Sequence, residues 1–236
     1  MKKEAIEEIL ALSKEERKEI IEKHKANGIL IPMDENVFIG KNVSIEKGAV
    51  ILEGTHLTGK TEIKKDCIIG PGSFIFDTTV GEGSSLNYVQ AFESEIGENC
   101  DLGPFVHIRP NSHVSNKVHL GNFVEVKNST IGNSTSVSHL TYVGDSDVGK
   151  NVNFGCGCVT VNFTGKEKFR TTIGDHAFIG CNTNLVAPVK VGDYGYTAAG
   201  STITKDVPSN ALAIARARQE NKEDWVLKKK PYRDMK

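Results

Sequence analysis

Ile39, Ile45, Ile51, Leu57, Ile63, Ile69 and Ile75 stand six residues apart, and the same beat resumes at Ile96, Leu102, Ile108, Val114, Leu120 and Val126. It continues through Ile131, Val137 and Val143, returns at Ile173, Ile179 and Leu185, and fades through Val191, Thr197 and Ile203. A period of six fits neither the 3.6 of a helix nor a simple alternating strand. Self-similarity at this short period marks a β-solenoid, in which each repeat buries its apolar side chain only by stacking on its neighbours.

The repeat runs from near Phe38 to near Val207, so the expected organisation is one elongated domain with small appendages. Each hexad is expected to be a short strand and a turn, with three hexads closing one triangular coil. About nine coils, stacked at the ~4.8 Å spacing of parallel strands, give a prism on the order of 40–45 Å long. The small residue that often follows the aliphatic one (Ile39-Gly40, Ile69-Gly70, Ile131-Gly132) is expected where the backbone bends sharply. The interruptions stand out. The register slips between Ile75 and Ile96, with Val80-Gly81 as an isolated hexad, and Val126 to Ile131 and Val143 to Val148 are one residue short. The segment VTVNFTGKEKF is too polar for a coil face and is expected to leave the prism as a loop near 160–171.

Residues 1–30 differ in kind. Ile6, Ile9, Leu10 and Leu12 lie at helical spacing, and Ser13 with Glu16 three residues on is a capping-box signature. Two short helices are expected to cap the first coil, whose edge and apolar cross-section need covering. The prism is assigned to 31–208, and 209–236 to a basic C-terminal extension.

A formal charge of −1 argues against a general binder of nucleic acid or anionic membrane. No apolar run approaches the ~18 residues of a membrane span, and the charged start is not a signal peptide. Five cysteines without C-x-x-C spacing fit a reducing cytoplasm better than a disulfide framework. His107, His113 and His119 fall on successive sides of a triangular coil and offer no defined set of three ligands, so no metal is expected. Cys156 and Cys158 read as small thiols in a tight coil rather than as a redox pair.

The densest polar cluster lies between Arg109 and Asn153: Arg109, Glu125, Lys127, His139, Tyr142 and Asn153 fall within about two and a half coils. Stacking can bring such residues to one edge. Cations with an Asn suit a phosphate-bearing substrate, and a His beside a carboxylate suits general-base work near neutral pH. The alternative is a set of ordinary exposed corner side chains.

HIRPNS, GNFVEVKNST, SHLTYVGD, NVNFG, KEKFRTTIGD, FIGCNTNLVAPVKVG and AAGSTITKDVPSNALAIARARQ closely resemble one family. It is the acetyltransferase half of the bacterial bifunctional N-acetylglucosamine-1-phosphate uridyltransferase and glucosamine-1-phosphate N-acetyltransferase, of the hexapeptide-repeat superfamily. The resemblance implies an all-β, left-handed parallel β-helix working as a cytoplasmic homotrimer, with active sites between subunits. It implies acetyl transfer from acetyl-CoA to glucosamine 1-phosphate by direct amine attack. The glycine-rich signature of the uridyltransferase half is not found, so uridyl transfer is not expected. By resemblance, His139 is the general base and Glu125 orients it and the amine. Arg109, Lys127, Tyr142, Asn153, Asn162 and Lys168 hold the sugar phosphate, and Cys156, Cys181, Ala199 and Arg216 meet coenzyme A. Cys181 replaces a Ser of the family, Cys156 and Cys158 replace the Ala and Thr of a G-A-G-T pattern, and Phe163 replaces a Tyr. These departures leave open another amino sugar or sugar nucleotide as acceptor. A non-catalytic trimeric scaffold serving a separate uridyltransferase is the reading from another class.

Overall fold

The computed structural model describes residues 2–231 and is a parallel β-helix. Its strands are two to four residues long and form three parallel sheets of ten, nine and ten strands. The first sheet runs from Phe38–Ile39 to Thr202–Ile203, the second from Ser44–Ile45 to Val189–Val191, and the third from Val50–Ile51 to Leu212–Ala213. The chain visits them in turn, so each circuit is one coil, and ten strands in the first sheet make ten coils rather than nine.

The beat is the core. Ile51, Leu57, Ile63, Ile69, Ile75, Ile108, Leu120, Val126, Ile131, Val137 and Val143 are wholly buried, each pairing with its equivalent one coil away. Each such side chain contributes about 1.5–3 kcal/mol by leaving water. The register does slip between Ile75 and Ile96, but Val80 is not isolated and the coils run on without a break. Val80, Leu86 and Ala91 are wholly buried in consecutive strands, and the Gln90–Phe92 strand segment pairs with Phe74–Phe76. The beat is hidden there because three of four steps are five residues long and one inward residue is only an Ala.

Gly70 and Gly103, each after an aliphatic residue, hold the positive φ expected of a bend, but most glycines at this position serve another purpose. A Cβ on Gly132 would lie 2.4 Å from the Gly149 carbonyl carbon, and one on Gly180 2.4 Å from the Thr197 oxygen. Successive coils approach too closely there for any side chain. The sharp bends come later in the hexad, and non-glycine residues with positive φ make most of them, among them Asn99, Lys117, Ser134 and Asn151 on one edge.

At the N-terminus, α1 (Lys3–Ala11) and α2 (Lys14–Ala26) form as expected, with the Ser13–Glu16 capping box intact. Their docking differs from the expectation. Leu10 is 76% exposed and Ile6 faces outward, whereas Ala5 is wholly buried against Phe76 and Phe92. Helix α1 therefore lies along the first sheet over several coils, where only a small residue permits the approach, and Glu8 accepts a hydrogen bond from Gly59 N–H at 2.8 Å. Ile21 of α2 joins the main core, and Arg17 sits 5.4 Å from the Phe38 ring centroid. After Val207 the ladder continues to Leu212–Ala213, followed by exposed chain and the short helix α3 (Trp225–Lys229). No helix among the described residues is long and apolar enough to cross a membrane.

Candidate active site

The side chains of Glu125, Lys127 and Tyr142 stand on the outer face of the first sheet because they flank the inward residues Val126 and Val143. Alternation along a strand forces the neighbours of a core residue outward. Arg109 follows Ile108 one coil earlier, and Glu125 pairs in register with His107 below and Tyr142 above. Arg109 Nη1 donates to Glu125 Oε1 at 2.9 Å. Burial pushes the His107 imidazole pKa down, against the pull of Glu125.

Lys127 points to a carboxylate that sequence reasoning overlooked. Its Nζ lies 3.1 Å and 3.3 Å from the two oxygens of Asp145, a residue only 4% exposed. Asn128 Nδ2 donates to Asp145 Oδ1 at 2.5 Å, and Asn162 Nδ2 donates to Asp145 Oδ2. Burial alone would raise the Asp145 pKa, but hydrogen bonds from Asn128, Lys127 and Asn162, with the Lys127 charge, outweigh it and hold it below 3.8. The only sequence signal was positional: Asn128 and Asp145 occupy the same corner on successive coils.

The loop is smaller and more ordered than its composition suggests. Residues 162–170 form a tight excursion in which Phe163 bridges Lys168 in antiparallel fashion and Phe169 N–H donates to Asn162 O at 2.9 Å. Thr164 and Glu167 close the turn. Asn162 is buried at the foot and also reaches the Tyr142 hydroxyl at 3.4 Å, while Lys168 is exposed.

The remaining candidates lie on the edge where the third sheet gives way to the first. Leu140 N–H donates to Asn122 O, Gly157 N–H to His139 O, Asn182 N–H to Cys156 O, and Gly200 N–H to Cys181 O. This ladder stacks His139, Cys156, Cys181 and Ala199 in one column over four coils. Arg216 stands exposed at its far end, 3.7 Å by its Cδ from where a Cβ on Gly200 would lie. His139 and Cys181 are exposed, Cys156 half-buried and Cys158 buried, its thiol pushed up to about 11 by burial.

Within one chain, then, Arg109, Glu125, Lys127, Tyr142 and Asn162 share one face, and His139 heads the column along its border. Asn153 does not join them, because it lies exposed on the outer face of the third sheet, around the corner. His107, His113 and His119 fall on the first, second and third sheets respectively.

Residues 170–205 match the family model described as bacterial transferase hexapeptide (six repeats). The chain is 53% identical over 213 residues to the "Bifunctional protein GlmU" of Clostridium acetobutylicum, covering 90% of this chain and 47% of that protein. It is 54% identical over 210 residues to the protein of that name from Caldanaerobacter subterraneus, covering 89% and 46%. Against that of Clostridium novyi the identity is 50% over 223 residues, covering 94% and 48%. The chain spans about half the length of the relatives it matches. The chain is thus similar, over nine-tenths of its own length, to about half of the bifunctional protein GlmU of these organisms, and it carries a hexapeptide-repeat match at 170–205.

Proposed function

We propose that this chain transfers acetyl from acetyl-CoA to the amine of glucosamine 1-phosphate, yielding N-acetylglucosamine 1-phosphate. The observation that carries the reading is the placement of Arg109, Glu125, Lys127, Tyr142 and Asn162 on one face beside the His139 edge, in a chain 50–54% identical over the matched residues to the relatives above. Arg109, Lys127 and Lys168 supply cations for a sugar phosphate, and Tyr142 and Asn162 supply hydrogen bonds to a sugar.

The edge column fits acetyl-CoA. Above His139, three successive coils carry nothing larger than Cys, so an extended thioester can lie against the backbone, and Arg216 can pair with phosphates beyond. Bound acetyl-CoA would supply the activated acyl group. His139 takes the proton as the sugar nitrogen bonds to the acyl carbon, the carbon–sulfur bond breaks, and the thiolate leaves to be protonated as free coenzyme A. Glu125 fixes the amine and the imidazole for that transfer.

The working unit is proposed to be a homotrimer with sites between subunits. Two observations support it. Asn153 lies on the third sheet, where only a neighbouring copy could bring it to another chain's acceptor face. Tyr88, Phe105, Phe123 and Leu140 form an exposed ridge on the edge leading to His139, with Phe105 and Phe123 stacked at 5.2 Å. All four hold positive φ, which is costly for bulky residues and points to a use for the ridge.

The test is a thiol-release assay with acetyl-CoA and glucosamine 1-phosphate; turnover no greater than that of a His139→Ala control rejects the reading. A second reading keeps the chemistry but changes the acceptor to another amino sugar. It is favoured by Cys156 and Cys181 on the thioester column and Phe163 beside Asn162, and acceptors compared at equal concentration separate the two.

A further inference from the structure

Corner residues of this prism have an ordinary task. Asp77, on the same edge as Asp145, accepts the backbone N–H of Lys60 at 2.7 Å, and Asn116, Asn133 and Asp175 likewise take N–H groups of an adjacent coil. Such bonds stitch coil to coil. Asp145 does something else with its carboxylate. All its side-chain partners are side chains: Lys127, Asn128 and Asn162. Two of these three are residues assigned above to the acceptor.

Its backbone is equally committed. Asp145 N–H donates to Lys127 O at 2.9 Å, and Thr171 N–H donates to Asp145 O at 3.1 Å. Asn162 is the first residue of the excursion that carries Lys168, and Thr171 is where the chain rejoins the prism. Asp145 therefore holds both feet of that excursion, one through its side chain and one through its carbonyl. Arg170 braces the returning foot from outside, donating to Asp147 Oδ2 at 2.9 Å and to the carbonyls of Asn128 and Ser146 at 3.1 Å.

A carboxylate this deeply buried costs desolvation energy, and an apolar residue of similar size generally stabilises a fold as well or better. Its retention is better explained by what it orients. We propose that Asp145 is a positioning residue for the acceptor site, setting the Lys127 ammonium and, by clamping the 162–170 excursion at both feet, the place of Lys168. The inference deepens the acetyltransferase reading and rests on it for the identity of the acceptor, whereas the clamp itself does not.

Two measurements on Asp145→Asn, an isosteric change, test it. Brief digestion of the folded protein with trypsin, followed by mass spectrometry, reads cleavage after Lys166 and Lys168. Loss of the clamp is expected to speed that cleavage at least tenfold relative to the wild type. Steady-state kinetics are expected to show KM for glucosamine 1-phosphate raised about tenfold or more, with kcat and KM for acetyl-CoA changed far less. A purely structural role would lower apparent kcat through loss of folded enzyme and leave both KM values unchanged. Asn162→Ala, which cuts the tie between the excursion and Asp145 along with the longer contact to the Tyr142 hydroxyl, should reproduce the faster cleavage, and that cleavage carries the test of the clamp if Asp145→Asn does not fold. Unchanged cleavage in a folded variant overturns the clamp, and an unchanged acceptor KM in an active variant overturns the positioning role. A wild-type protein inactive on glucosamine 1-phosphate rejects the acceptor reading instead, and the cleavage measurement still decides the clamp.

Discussion

Arg109 Nη1 and Glu125 Oε1 are 2.9 Å apart, one coil separating them along the first sheet. In the free chain the cation proposed for the sugar phosphate and the carboxylate proposed to orient the amine thus occupy each other. An arriving phosphate competes with Glu125 for Arg109. Arg109→Ala is expected to raise the acceptor KM by about tenfold or more, the scale of one charge-assisted hydrogen bond. Glu125→Gln should instead lower kcat with little change in acceptor KM. Steady-state kinetics on both variants check the division of roles, and a reversed pattern would contradict it.

His139→Ala is expected to lower kcat by about 10²–10⁴-fold, the usual worth of a general base. The residue is exposed at the head of the edge column and is not part of the core. Thermal stability and coenzyme A affinity should therefore stay close to wild type, which calorimetry can verify.

Asp145 makes stability pH-dependent in a defined direction. Its folded-state pKa lies below the ordinary 3.8, so its contribution is fully present above that value and disappears as pH falls through the depressed one. Urea unfolding should show Asp145→Asn destabilised by about 1–3 kcal/mol at pH 7, with Lys127 left partly buried and uncompensated. The gap should close as pH drops below 3.8. A gap constant with pH would refute the assignment.

Among the cysteines, Cys181 is the exposed one, while Cys67, Cys100 and Cys158 are buried, with burial raising all three thiol pKa values. A maleimide at neutral pH is expected to label Cys181 rapidly and these three only on unfolding. If the edge column holds the thioester, acetyl-CoA protects Cys181 and the labelled protein loses acetyltransferase activity. Peptide mapping with and without acetyl-CoA reads the protection, and a thiol-release assay of the labelled protein reads the activity.

The aromatic ridge should govern assembly. Phe105 and Phe123 are 53% and 57% exposed in the single chain. Changing both to Ser is expected to shift the protein from trimer to monomer in sedimentation velocity without altering the far-ultraviolet spectrum. A trimer that persists would place the interface elsewhere.

How far the sequence could be read follows from what a six-residue period encodes. Ile39 to Ile75 announce both fold and inward face, because every position but the half-buried Ile45 repeats the same burial. Ala91 hides its coil, since a small residue carries no hydrophobic signal even where it is wholly buried. Leu10 misleads in the other direction: its spacing fits a helical face, but docking on Phe76 and Phe92 needed the smaller Ala5. Arg109, Glu125, Lys127 and Tyr142 could be grouped from spacing alone, because all flank core positions of one sheet. Asp145 could not, since a corner aspartate that stitches coils and one that gathers side chains look identical in sequence. Asn153 lies near them along the chain, yet a difference of eleven residues from Tyr142 carries it to another side of the triangle.

All but one of the short steps have a common address, Leu86 to Ala91 turning instead from the third sheet to the first. Ile75 to Val80, Ala91 to Ile96, Val126 to Ile131, Val143 to Val148 and the long detour from Thr160 to Ile173 all turn the corner from the first sheet to the second. The corner from the second to the third keeps its six-residue step throughout. One margin of the proposed acceptor face is thus where chain length varies most, while the opposite margin carries the unbroken column from His139 to Ala199. A lineage could exchange loops on the first margin, and with them the sugars it accepts, without disturbing the track along which an acyl donor would lie.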